Sequence, residues 1–152
     1  MDLKFFLKNL PAFEEFKARH LDILASQLRV EQHADGHVFI RQGLQGDALY
    51  LLLQGSVRIT KHDAQGAPEY EVRDLSDGEM FGMLSLIDDL PASSTCTTRG
   101  PVTTAALTRD AFQQLFHQAS PIGHHLQYIV AVQMARDIQE ENQRFRAALT
   151  NA

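Results

Sequence analysis

The sequence predicts an α+β, mainly β fold: an antiparallel β-roll or jelly roll of about eight short strands, with helices before it and one long helix after it. Three observations predict this. The apolar spacing is helical up to Leu28, switches to a period of two from Val30 to Leu107, and becomes helical again from Thr108. Glycines at 36, 43, 55, 66 and 78 punctuate the middle stretch, which divides it into short strands at regular spacing. After Gly123 neither proline nor glycine interrupts the chain as far as Leu149, as a single long helix requires. The expected organisation is one domain over 1–152, with N-terminal helices in 1–29, the roll in 30–107 and C-terminal helices in 108–149.

Each element has its own signal. Leu3, Phe5, Phe6, Leu7 and Leu10 form an apolar cluster that stops at Pro11, because the residue before a proline is disfavoured in helical geometry. Phe13, Phe16, His20, Ile23, Leu24 and Leu28 then recur at helical spacing, giving a helix pair that packs on the core. Val30 with Gln32 and Val38 with Ile40 alternate around turns at Ala34-Asp35-Gly36 and Gln42-Gly43. Leu49 to Leu53, then Gln54-Gly55, then Val57 and Ile59 read as a tight hairpin. Gln65-Gly66 makes another turn, Tyr70, Val72 and Leu75 continue the alternation, and Val102 to Leu107 supplies a further strand. Thr108 is an N-cap for a helix over 109–118, and Ser120-Pro121 pairs an N-cap with proline at the first helical position. The last helix is expected to run about 28 residues, or about 42 Å.

Composition narrows the function classes. The 152 residues carry 14 Lys and Arg against 19 Asp and Glu, a net charge of −5 that works against nonspecific nucleic-acid binding. Cys96 is the single cysteine, so no intrachain disulfide forms, which fits a reducing compartment. No apolar run approaches the ~20 residues of a membrane span, and the first residues are too interrupted for a signal peptide. A cytoplasmic protein without membrane attachment is expected.

The stretch Gly78 to Cys96, GEMFGMLSLIDDLPASSTC, carries the most chemistry. A glycine turn leads into Phe81-Gly82 and the apolar run Met83 to Ile87; Asp88-Asp89 and Pro91 follow, then Ala92, Ser93, Ser94 and Thr95. Free amides at a helix start and a hydroxyl-rich loop can together hold an anion. No basic side chain lies between Gly78 and Thr98.

This order of elements resembles the cyclic-nucleotide-binding domain of the catabolite activator protein and of the regulatory subunits of cyclic-AMP-dependent kinase. Arg41 to Tyr50 followed by Leu53 to Val57 looks like the family's paired-glycine segment, and Asp77 to Gly82 like the opening of its phosphate-binding cassette. Gln133 to Arg136 looks like part of the activator's long helix. The resemblance spans about Leu7 to Arg146 and implies that Phe81, Gly82, Met83, Leu84, Ser85, Ala92, Ser93, Ser94 and Thr95 line a ligand cassette. It also implies that a glutamate after Phe-Gly accepts the ribose hydroxyl and that a later arginine pairs with the cyclic phosphate. Those two positions are Met83 and Ala92 here, so weak or absent cyclic AMP binding is expected. Glu141 and Asn142 fall where the activator's long helix reaches the adenine base; the plainer reading of both is solvated helix surface.

Val130, Met134, Ile138, Phe145 and Leu149 fall along one stripe of a helix long enough to overhang a small roll. A homodimer through this stripe covers it economically; the alternative is that it folds back on its own roll. The chain ends shortly after Leu149 and its last helix balances Arg136, Arg144 and Arg146 with Asp137, Glu140 and Glu141. Direct DNA binding and a DNA-reading output domain are therefore not expected. The seven histidines show no metal-ligand spacing, and Cys96 and Asp88-Asp89 show no catalytic one, so neither a metal nor an enzyme is expected. No cofactor is expected beyond a cyclic nucleotide as ligand. The leading expectation is a stand-alone regulatory, protein-interaction module. The alternative is a sensor that binds a cyclic mono- or dinucleotide through a non-standard cassette and moves its C-terminal helix.

Overall fold

The computed structural model describes residues 2–83 and 90–150. Helices α1 (Leu3–Lys8) and α2 (Ala18–Gln27) flank a 3-10 turn at Pro11–Phe13. The strands β1 (Arg29–His33), β2 (Val38–Ile40), β3 (Ala48–Lys61), β4 (Tyr70–Leu75), β5 (Met80–Phe81) and β6 (Thr95–Thr108) follow, then α3 (Arg109–Gln118) and α4 (Ser120–Thr150). All strand pairs are antiparallel. The sheet order is β1-β6-β3-β4, with β2 paired to β6 and β5 to β3.

Two long strands organise the roll. β3 and β6, 14 residues each, pair from Ala48 opposite Thr108 to Thr60 opposite Thr95. The expected hairpin at Gln54-Gly55 is therefore not one: β3 runs straight through it, and the described residues form six strands rather than about eight. What the glycine marks is a register irregularity between Leu52, Gln54 and Ser56. A Cβ on Gly55 would sit 2.8 Å from the Pro101 carbonyl oxygen, so the residue serves close approach of β6 and not chain reversal.

The irregularity also decides which side chains face the site. Before it, Leu49, Leu51 and Leu53 pack under the helices with Leu107, Phe112 and Leu126, while Leu52 faces the interior of the roll. After it the phase flips, and Val57 and Ile59 take the interior beside Leu75, Phe81 and Cys96. A shift by one residue exchanges the two faces of a strand.

Thr108 caps α3 by accepting from the Ala111 amide at 3.1 Å, and α3 turns directly into α4. α4 is 31 residues long, about 46 Å. Its Ile122, Leu126 and Val130 are buried, and no described residue beyond Val130 is. Val130 is thus sealed in its own domain, only 1% exposed, and is removed from the stripe available to a partner. Ile138, Phe145 and Leu149 remain exposed. His124 and His125 diverge as neighbours on a helix must: His124 meets the Phe116 ring, whereas His125 hydrogen-bonds the Ala12 carbonyl at 3.1 Å.

Candidate ligand-binding site

Between the open end of the roll and α4 lies a cavity of about 320 Å³. That is within the range of small-molecule sites. Its walls are Ile40 of β2, Ile59 and Lys61 of β3, Arg73 of β4, Met80 and Phe81 of β5, and Cys96 of β6. Gly82, Met83, Leu90, Ala92, Ser93 and Ser94 contribute from the connection, and Met134, Asp137, Ile138 and Glu141 from α4.

Backbone hydrogen bonds hold the chain on both sides of β5, the near end against β3 and the far end against the loop between β2 and β3. The Gly78 amide donates to the Leu52 carbonyl at 2.7 Å and the Leu52 amide to the Glu79 carbonyl at 2.9 Å. At the far end the Gly43 amide donates to the Ala92 carbonyl at 2.9 Å and the Ala92 amide to the Leu44 carbonyl at 2.8 Å. Phe81 is fixed by stacking on Tyr50, ring centroids 5.1 Å apart, and by an edge contact with Phe39. Gly82 has φ +80°, and a Cβ there would lie 2.8 Å from the Ala48 carbonyl oxygen. Only glycine permits that backbone so close to β3.

Of the residues named from sequence, Phe81, Gly82, Met83, Ala92, Ser93, Ser94 and Glu141 come together on this cavity. Leu84 and Ser85 lie outside the described residues, as do Asp88 and Asp89. Thr95 is not part of the lining; its hydroxyl accepts from the Gln42 amide at 3.0 Å. Asn142 does not line the cavity either. The Ser94 hydroxyl is engaged with the Cys96 thiol, whose burial pushes its pKa up to about 12.

Sequence reasoning missed the two cations. Lys61 follows Ile59 on the interior phase of β3, and Arg73 sits opposite Ile59, two residues before buried Leu75. Both bring positive charge to a loop that has none of its own. Both are already matched. Arg73 Nη1 lies 2.7 Å from Glu79 Oε1 and its Nε 4.0 Å from Glu140 Oε2, while Lys61 Nζ lies 3.2 Å from Glu141 Oε2. Burial works to lower the Arg73 pKa, but Glu79, then Glu140 and Asp137, outweigh it and raise it. Burial likewise works to raise the Glu79 pKa, and the hydrogen bonds from Arg73 and Ser76 bring it below its ordinary value.

The same contacts fasten α4 over the cavity. Arg144 donates to the Tyr70 hydroxyl at 2.6 Å and sits 4.4 Å from the ring centroid, and that hydroxyl donates to Asp63 at 2.9 Å. Cation–π contact and ion pairs thus join β3, β4 and the loop between them to the outer half of the helix.

Residues 30–119 match the cyclic nucleotide-binding domain. The chain belongs to that family. A cAMP-dependent protein kinase regulatory subunit from Yarrowia lipolytica is 32% identical over 121 residues, covering 80% of this chain and 30% of the relative. The chain therefore spans under a third of that relative's length. Among solved structures, the Thermus thermophilus catabolite activator protein is 26% identical with a TM-score of 0.75, covering 91% of this chain and 62% of the other. The regulatory subunit of a cAMP-independent protein kinase A from Trypanosoma brucei is 25% identical with a TM-score of 0.70, covering 84% and 46%. The cyclic nucleotide-binding domain here keeps the family's β-roll, and its cavity is lined in part by residues 80–83 and 92–94. Among the described residues no group of three His, Cys, Asp or Glu is placed to hold a metal ion, and no helix is long and apolar enough to cross a membrane.

Proposed function

We propose that this domain is a non-catalytic, cytoplasmic regulatory module that acts through protein contacts and binds cyclic AMP weakly or not at all. One observation carries the reading. Met83 and Ala92, where the family resemblance places a glutamate and an arginine, both line the cavity, and its two cations are already paired with carboxylates. A phosphate would have to separate Arg73 from Glu79 or Lys61 from Glu141 to gain a charged partner. Loss of one partner of a buried charge pair costs about 2–5 kcal/mol, and an unpaired ribose hydroxyl about 1–3 kcal/mol more. A micromolar site falls to millimolar or weaker on that scale. Titration calorimetry with cyclic AMP and cyclic GMP tests it: no heat below millimolar concentration is expected, and a micromolar site would overturn it.

Partnering is proposed through the outer part of α4, where Ile138, Phe145 and Leu149 stand exposed, in a homodimer. Sedimentation of the chain and of Phe145→Glu/Leu149→Glu tests this; a monomer mass for both would remove it. A second reading has one specific observation in its favour. Because Met134, Asp137, Ile138 and Glu141 form the outer wall, any occupant of the cassette touches the long helix. A cyclic mono- or dinucleotide held by backbone amides and Ser93 would then shift that helix, and a panel of cyclic dinucleotides in a thermal-shift assay separates the two readings.

A further inference from the structure

Each charge on the cavity wall has an opposite charge beside it. Among the described residues the lining carries Lys61 and Arg73 against Asp137 and Glu141. Lys61 Nζ lies 3.2 Å from Glu141 Oε2, and Asp137 acts electrostatically on Arg73. Glu79 and Glu140 also meet Arg73, and Arg144 feels the charge of Glu141, although none of these three lines the cavity. An anion in this space would compete with a carboxylate for a cation. A cation would compete with a lysine or an arginine for a carboxylate. Neither finds an unmatched partner on the wall, and a charge taken out of water without a partner is costly.

The rest of the wall is apolar and rich in sulfur. Ile40, Ile59, Phe81 and Ile138 line it with Met80, Met83 and Met134, which are all the methionines of the chain except Met1. The buried Cys96 thiol adds a fourth sulfur. Thioethers adapt to irregular shapes and make favourable contacts with aromatic rings. From the size of the cavity, its apolar wall and its paired charges we propose that the site takes an uncharged aromatic small molecule, its ring held among the methionines against α4. This deepens the reading given above, since it rests on the cassette not being filled by cyclic AMP.

Indole-3-acetamide, indole-3-acetate and tryptamine provide the test, because they share a ring and are neutral, negative and positive. In calorimetry on the intact chain the acetamide is expected to bind tightest, with either charged compound weaker by about fivefold or more. Two variants then unbalance the wall in opposite senses. Asp137→Asn leaves the cations in surplus and is expected to tighten the acetate by about two- to fivefold, as an exposed ion pair supports, with the acetamide unchanged. Lys61→Gln leaves the carboxylates in surplus and is expected to do the same for tryptamine. Met134→Ala removes part of the apolar wall while keeping a good helix former, and is expected to weaken the acetamide about fourfold or more. Melting curves verify that each variant is folded. Four results would each overturn the proposal: a charged compound binding tightest to the native chain, a ranking that neither charge variant moves, an acetamide affinity unchanged by Met134→Ala, or no binding of any compound. Cyclic AMP titrated beside them keeps the two readings apart. Tight cyclic AMP binding defeats the reading of the cassette, whereas weak cyclic AMP binding with a silent acetamide defeats this inference alone.

Discussion

Replacing Gly82 by alanine isolates the feature on which the cassette's shape depends. Gly82 sits at φ +80°, where an L-residue costs about 1–2 kcal/mol. Its new Cβ would also lie 2.8 Å from the Ala48 carbonyl oxygen and 2.8 Å from Ile40 Cδ1. The isoleucine methyl can turn away. The carbonyl has little room to move, because Ala48 is buried and paired to Thr108 at the end of the β3–β6 ladder. Forcing a methyl group into a packed position costs about 1–3 kcal/mol. The expected total is about 2–5 kcal/mol, which for a chain of this length lowers the melting temperature by about 4–20 °C. Gly66→Ala is the internal control: its φ is +81°, nearly the same, but nothing lies within 4 Å of the added Cβ. It should cost only the backbone term, about 1–2 kcal/mol. Thermal and urea unfolding of both variants separate the two contributions. Equal losses would refute the claim that the β3 backbone forms a wall at the start of the cassette.

Three further outcomes follow from individual contacts. Gln42 spans from its loop to the end of β3, accepting from the His62 amide at 2.8 Å and donating to its carbonyl at 2.9 Å; Gln42→Ala should cost about 1–3 kcal/mol in urea unfolding through the groups it leaves unpaired. Glu79 has a folded pKa below its ordinary 4.5, so its contribution is complete above that value and is lost as pH falls through the folded value. Urea midpoints should therefore drop from about pH 5 downward, and Glu79→Gln should flatten that decline. Cys96, with a pKa pushed up to about 12, should resist a thiol reagent in the folded protein at neutral pH and react fully once denaturant is added; rapid labelling of the native chain would contradict its burial.

Much of the fold was legible because turns and helix starts are written locally. Gly36, Gly43, Gly66 and Gly78 were read as turns, and each has positive φ. Thr108 was read as an N-cap and accepts from the amide three residues on. Gly55 was read the same way and is different, because a glycine between two apolar runs looks alike whether the chain reverses or only lets a neighbour approach. The difference lies in β6, whose Pro101 and Val102 come more than 40 residues later in the sequence. Pro101 and Val102 make Gly55 necessary, and neither position announces that contact.

The same irregularity explains why the cassette's composition was readable while its charge was not. Met83 and Ala92 belong to the connecting segment and could be assigned by likeness to a family. Lys61 and Arg73 belong to strands whose inward phase depends on where the register shifts. Reading Tyr70, Val72 and Leu75 as one alternation left Arg73 on the outside, although 72 and 75 differ by an odd number and cannot share a strand face. Counting back from buried Leu75 puts Arg73 inside, opposite Ile59. Once the two cations are inside, their pairing follows from the third element. α4 presents Asp137 and Glu141 one turn apart to the mouth of the cavity, with Glu140 alongside, so that Glu141 meets Lys61 and Glu140 meets Arg73. The charge lining the cavity is therefore set jointly by two strand phases and one helix face, while the loop residues on its wall are uncharged.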